Sequence, residues 1–229
     1  QGRRESTNVD DRRGLSGGGL AVGGGVLGIF FIRAKFLLGG GGVNDLQKLI
    51  PQQQQQEMTV EQKAADDKEA SFVKVVLADT EDVWSKLFND MGKSYTNPTL
   101  VLFRNSTSSG CGNATAASGP FYCPADQDLY IDLAFAQQLK EQFSASGDFA
   151  MAYVVAHEVG HHVQDLLGVT NKMQQIQQRV SETEYNKYSV RLELQADFYA
   201  GVWAHYDQKM KNVIKPSDID EALTAANAI

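Results

Sequence analysis

Phe149-Ala-Met-Ala-Tyr-Val-Val-Ala-His157-Glu158-Val-Gly160-His161-His162-Val-Gln164-Asp-Leu-Leu167 decides how the rest of this chain is read. It is a strongly apolar helical stretch stopped by Gly168. His157 and His161 stand four residues apart, so both imidazoles leave one face of the helix about one turn from each other. That spacing suits two ligands of one tetrahedral Zn²⁺, each at about 2.0–2.1 Å. Glu158 follows the first histidine, where its carboxylate reaches the open fourth position of such an ion. A water there has its pKa lowered from about 15.7 towards about 7, and a carboxylate takes its proton. HExxH is therefore a motif with a mechanism.

The bland alternative is a chance HExxH on the solvated face of a polar helix. The flanks argue against it, because Met151–Ala156 before the motif and Val163, Leu166 and Leu167 after it are apolar. Polar groups inside such a buried helix need partners, and a metal supplies them. Three of the four histidines also lie beside Glu158.

A third protein ligand is needed, and no further cysteine or well-placed histidine offers one. The candidate is Glu193 in Arg191-Leu-Glu-Leu-Gln-Ala-Asp-Phe-Tyr-Ala-Gly-Val-Trp203. Asp197, four residues on, shares its helix face and would accept the N–H of a ligating histidine, fixing its tautomer. Ala200, Gly201 and Ala204 continue that face and would let the helix approach Gly160. Without the HExxH, Glu193 and Asp197 would read as surface acids of an amphipathic helix. His162 points about 100° away from His161 and reads as a helix-surface or supporting residue. His205, two turns beyond Asp197, is a candidate transition-state stabiliser, with packing against Trp203 and Tyr206 as the alternative.

The rest of the chain bounds these readings. With 229 residues it holds one good-sized domain plus an appendage. Hydrophobic residues make up 42% and charged residues 21%, as in an ordinary globular protein, and a net charge of −7 argues against a nucleic-acid partner. Cys111 and Cys123 lack the paired spacing of a structural zinc site. They read as one disulfide closing the loop between them, worth about 3 kcal/mol and implying an oxidising compartment. Two unpaired thiols in a cytosolic protein are the alternative.

Residues 1–42 read as a basic leader and an imperfect single membrane anchor. Arg3, Arg4, Arg12 and Arg13 lead into the apolar run Leu20–Ile32, which reaches spanning length only if extended through Arg33 and Lys35 to Leu38. A cleaved signal peptide, for which no Ala-x-Ala site is evident, and a flexible leader are the alternatives. Gly23-Gly-Gly-Val-Leu-Gly28 fits GxGxxG but has no βαβ context, whereas the pairs Gly19/Gly23 and Gly24/Gly28 would let two anchors pack as a homo-oligomer. Residues 43–58, with glutamine at every position from Gln52 to Gln56, read as a linker.

The domain is expected over 59–229. Thr59-Val-Glu-Gln62 fits a capping box opening a helix that runs to Phe88. Leu100–Phe103 and Leu129–Asp132 read as short strands, Ala134–Phe143 as a helix, Asn171–Asp207 as one long helix or a pair, and Asp218 onward as a last helix. Tyr130 and Asp132 are placed on an edge strand that would hold an extended peptide. The fold class is α+β, mostly helical, with a small sheet beside the HExxH helix.

His157-Glu-Val-Gly-His plus Glu193-Leu-Gln-Ala-Asp resembles the gluzincin branch of zinc peptidases, with its HExxH…ExxxD arrangement. More closely, Cys111-Gly-Asn-Ala, Gly119-Pro-Phe-Tyr-Cys-Pro-Ala-Asp, Tyr130-Ile-Asp, His157–Gln164 and Ala200-Gly-Val-Trp203 resemble the bacterial neutral zinc metallopeptidase family. The resemblance implies a zincin-like, membrane-anchored domain acting outside the cytoplasm on peptide or protein substrates. It implies ligands His157, His161 and Glu193 for Zn²⁺ and Glu158 as base. Two departures are the missing initiator Met and a C-terminus short of the family's usual one, where further His, Trp and Cys are expected. The rival expectation is a non-catalytic, membrane-anchored zinc-binding protein.

Overall fold

The computed structural model describes residues 2–14, 59–135 and 148–228. It is a mixed α+β structure, mostly helical, with a small sheet. In chain order the elements are β1 (Val9–Asp11), α1 (Val60–Asp90), β2 (Thr99–Phe103), β3 (Ser106–Ser109), β4 (Gly112–Thr115), β5 (Phe121–Cys123) and β6 (Asp128–Asp132). Four helices follow: α2 (Asp148–Leu166), α3 (Val169–Gln177), α4 (Glu182–Lys211) and α5 (Pro216–Ala228). The capping box opens α1, with the Thr59 hydroxyl accepting from the Gln62 amide at 3.2 Å and the Gln62 side chain accepting from the Thr59 amide at 2.8 Å. The helix expected over Ala134–Phe143 falls largely outside the described residues.

The main sheet has the order β1-β2-β6-β5, with β1, β2 and β6 parallel and β5 antiparallel to β6. Leu100–Phe103 and Leu129–Ile131 are unbroken apolar runs because both faces of the sheet are covered. Leu100, Leu102, Leu129 and Ile131 face the helices, joining Val73, Leu77, Trp84, Val155 and Val159 in the main core. The alternate residues Val101, Phe103 and Tyr130 pack with Ala114 and Cys123 on the other face. That second cover is the β3–β4 hairpin, tied to β5 by the Cys111–Cys123 disulfide.

This topology corrects the expectation that β6 is an edge. Strand β6 lies between β2 and β5, so its main chain is already paired on both sides. Tyr130 stacks on Phe121 at 4.9 Å and donates to Asp126, while Asp132 accepts from the amides of Asn105 and Ala134. Both are structural. The edge strand nearest α2 is β5.

A second correction concerns the membrane anchor. The N-terminal arginines are built into the domain: Arg3 pairs with Asp79, Arg4 with Glu81 and Asp82, and Arg13 with Asp66 and Asp67, all on α1. Strand β1 is hydrogen-bonded along β2. A single crossing between residues 14 and 59 would put β1 and β2 on opposite sides of a bilayer, which their pairing forbids. The stretch Leu20–Leu38, its glycine pairs and the 43–58 linker lie outside the described residues, and among the described residues no helix is long and apolar enough to cross a membrane. The single-pass anchor, the membrane assignment and the extracytoplasmic orientation derived from them are withdrawn.

The same clamp contains a stressed acid. Asp207 is 1% exposed, and its nearest cation, Lys211, lies 3.6 Å away while also binding Asp79 at 2.6 Å and Asp82 at 2.7 Å. Burial first, then the nearby Asp79 carboxylate, pushes Asp207 up to about 6 against the pull of Lys211 and Arg3. A carboxyl whose folded pKa exceeds its unfolded value of about 3.9 binds more protons when folded, so its contribution to stability is lost as pH rises from about 4 through 6. Asp207→Asn is therefore expected to stabilise the protein by about 1–3 kcal/mol above pH 6, with the gain vanishing near pH 4. Melting temperatures of both proteins at the two pH extremes test this. An equal difference at both would contradict the assignment of the shift to Asp207.

Candidate metal centre

Helix α2 carries Ala150–Ala156, Val159 and Val163 into the core, and Gly168, at φ +79°, ends its trajectory. Helix α4 crosses it closely: a Cβ added at Gly160 would lie 2.9 Å from the Ala196 carbonyl oxygen. Ala196 makes this contact, Ala200 is buried one turn further along α4, and Gly201 faces open space. The small-residue face expected on α4 is thus real but rotated towards Ala196.

The crossing sets the site. His157 and His161 flank Gly160, and Glu193 and Asp197 flank Ala196. His157 Nε2 lies 3.5 Å and His161 Nε2 lies 3.3 Å from Glu193 Oε2. The three ligand atoms fall within 4.8 Å of one another. On the outer side, His157 Nδ1 meets Asp197 Oδ1 at 2.8 Å, and His161 Nδ1 meets Gln164 Oε1 at 2.9 Å. An ionised carboxylate only accepts, so Asp197 holds the proton on Nδ1 of His157 and leaves the Nε2 lone pair facing inward.

Three inward lone pairs repel one another unless a cation lies between them. A proton on a histidine Nε2 meets the same demand that a metal cation would, and the direction of the pKa shifts follows from it. Burial pulls His157 down, but hydrogen bonds to Asp197 and Glu193 carry it up to about 10. Burial raises Glu193, yet the two histidines outweigh it and lower its pKa to about 2. His161 is also raised against its burial, chiefly by Glu193 and the field of Glu158. The spacing fits a metal: two ligands about 2.05 Å from a tetrahedral ion stand about 3.3 Å apart. Glu193 Oε1, buried with no hydrogen-bond partner, adds an anionic oxygen that the protein itself does not satisfy.

Glu158 is 8% exposed and lies outside this triad. Burial raises its carboxyl pKa, while the two histidines and a hydrogen bond from the Tyr122 main chain on β5 oppose the rise. His162 takes the supporting role of its two expected ones rather than a place on the helix surface. It is fully buried between Tyr95 and Tyr122, with Nε2 2.7 Å from the Thr96 carbonyl oxygen, and its ring supports the β5 side of the site. His205 is exposed and meets Tyr206; twelve residues along α4 from Glu193, it lies about 18 Å away and is not brought to the cluster.

Two residues escaped sequence reasoning. Tyr153 donates its hydroxyl to the same Asp197 oxygen that receives His157, and Gln164 receives His161. Both lie one turn from a histidine, at i−4 and i+3 on the same helix, which is the signal that finds them.

Two helix-borne histidines with an acid between them in sequence, joined by a glutamate from a crossing helix, form an HExxH-type cluster with the donors to hold a metal ion. The chain belongs to the family described as "Putative neutral zinc metallopeptidase", which it matches over residues 1–229. It is 47% identical over 236 residues to Uncharacterized protein YpfJ of Escherichia coli strain K12, covering 100% of this chain and 82% of that protein. It is 45% identical over 157 residues to Uncharacterized protein Rv2575 of Mycobacterium tuberculosis strain H37Rv, covering 64% of this chain and 50% of that one. No solved structure gives a significant match.

Proposed function

We propose that this chain is a zinc-dependent peptidase of zincin-like fold, with His157, His161 and Glu193 as the metal ligands and Glu158 as the proton carrier. The observation that carries the reading is the convergence of three lone pairs beside a buried carboxylic acid that is not needed as a ligand. When bound, zinc supplies Lewis acidity that polarises a carbonyl and brings water's pKa to about 7. Asp197 and Gln164 hold the two imidazoles in the tautomer and direction that ligation needs.

Glu158 takes a proton from water at its carboxylate and later returns it to the departing amine. Its raised pKa brings it closer to neutrality than an ordinary glutamate, which suits a group that must both accept and release. Strand β5, the edge of the sheet whose main chain touches Glu158, offers its outer edge to an extended peptide, in place of β6. A structural zinc site closes its fourth position with a side chain, whereas this cluster offers three ligands.

Elemental analysis after dialysis tests the metal, and digestion of a mixed peptide library tests the activity. One zinc per chain is expected, lost in His161→Ala and in Glu193→Ala. Full zinc retention in both variants would sink the ligand assignment. Bound zinc in a protein that cleaves no peptide would favour the non-catalytic zinc-binding reading.

A further inference from the structure

We infer that Gln164 is a positioning residue of the metal centre: its buried carboxamide selects the tautomer of His161 and fastens that histidine to helix α4. The inference rests on the metal reading above.

The argument is one of direction. An amide has a donating end and an accepting end, and its neighbours decide which way it points. Gln164 Nε2 lies 2.7 Å from the Leu192 carbonyl oxygen, a group that can only accept. Its second neighbour, Gln195 Oε1, lies 3.1 Å away. The nitrogen end is thereby fixed towards α4, and Oε1 faces His161 Nδ1 at 2.9 Å. That ring nitrogen must then carry the proton, which leaves the Nε2 lone pair facing Glu193 Oε2 at 3.3 Å. Gln164 is 1% exposed, so no water competes for these bonds.

The two histidines are therefore held differently. His157 leans on a carboxylate that also receives the Tyr153 hydroxyl. His161 leans on a neutral group whose own orientation is read from the backbone of α4 beside Glu193. One amide thus links a ligand on α2 to the turn that carries the third ligand, and the relative placement of the two becomes a property of Gln164. A carboxylate at this position would accept from His161 equally well but would set its second oxygen against the Leu192 carbonyl. The side chain suited to both neighbours is the amide.

Two substitutions separate positioning from packing. Gln164→Met keeps the volume and removes the acceptor, so either nitrogen of His161 can carry the proton. Zinc affinity, measured by competition with a chromophoric chelator, is expected to fall about 10–100-fold, the range seen when such supporting partners are lost. The visible absorption of the Co²⁺-loaded protein should shift with it, and the metal-free protein should melt lower because the buried partners of the amide are left unpaired. Gln164→Glu keeps the acceptor, so zinc affinity should recover to within a few-fold of wild type while the metal-free protein melts lower. Wild-type zinc affinity and an unchanged Co²⁺ spectrum in Gln164→Met would overturn the inference, as would equal losses of affinity in both variants. A wild-type chain that binds no zinc would instead remove the metal reading, and this inference with it.

Discussion

Glu158→Gln is expected to keep one zinc per chain and the fold while hydrolysing peptides about 10²–10⁴-fold more slowly, the usual contribution of a positioned acid or base. Glutamine has the shape of glutamate, and its amide oxygen can still accept the hydrogen bond from the Tyr122 main chain. It cannot take a proton from water at neutral pH. Metal content should survive because the triad His157, His161 and Glu193 does not include Glu158. Stability should hold or rise slightly, since burial already disfavours the charged form of Glu158 and a neutral amide removes that cost. Turnover of a peptide identified from the library digest, with zinc content and melting temperature on the same samples, separates the roles. Equal turnover by Glu158→Gln and wild type would rule out the proton-carrier assignment. Loss of zinc along with activity would move Glu158 into the ligand set.

The site was legible because its chemistry is written at helical spacing. His157 and His161, and then Glu193 and Asp197, each fall four residues apart, so each pair declares a shared face before any fold is known. Sequence spacing alone did not say how the two helices meet. Gly160 and Ala196 settle that, and the contact falls one turn earlier on α4 than Ala200 and Gly201 suggested. Strands β2 and β6 were legible as apolar runs, but their order in the sheet was not. Strand β5 holds only Phe121, Tyr122 and Cys123, and apart from Thr107 and Thr115 the strands β3 and β4 are built from Ser, Gly, Asn and Ala, which carry weak strand preference. They are held by the hairpin ladder and by the disulfide that bonds Cys111 to Cys123. The hardest element to read was β1. Val9-Asp-Asp amid arginines looks like a polar leader, and its strand character comes wholly from pairing with β2 and from acids on a helix more than fifty residues away. Arginines beside an apolar run suggested a membrane topology when their partners were Asp66, Asp79 and Glu81.

Gly160→Val is expected to damage the metal centre and the fold together. The Cβ of any residue at 160 would stand 2.9 Å from the Ala196 carbonyl oxygen, 3.1 Å from its Cα and 3.4 Å from its carbonyl carbon. All three are main-chain atoms of α4, so no side chain can rotate away; the helices themselves must separate. Ala156, Val159 and Val163 on α2, and Ala196, Ala200 and Trp203 on α4, are buried around the crossing, which makes separation costly. Overpacking of this kind costs about 1–3 kcal/mol for an added methyl, and valine adds two further carbons. For a chain of this size each kcal/mol lowers the melting temperature by about 2–4 °C. Because the histidines flank Gly160 and Glu193 and Asp197 flank Ala196, the same displacement pulls the third ligand from the other two. Zinc affinity should therefore fall in parallel with stability. Gly201→Ala on α4 is the matched control: nothing lies within 4 Å of its added Cβ, and replacing a helical glycine should stabilise by up to about 1 kcal/mol. Thermal melts and zinc competition on the two variants should move in opposite directions for stability, with zinc binding impaired only by Gly160→Val. A Gly160→Val protein that melts and binds zinc as wild type does would mean that the α2–α4 contact does not set the geometry of the site.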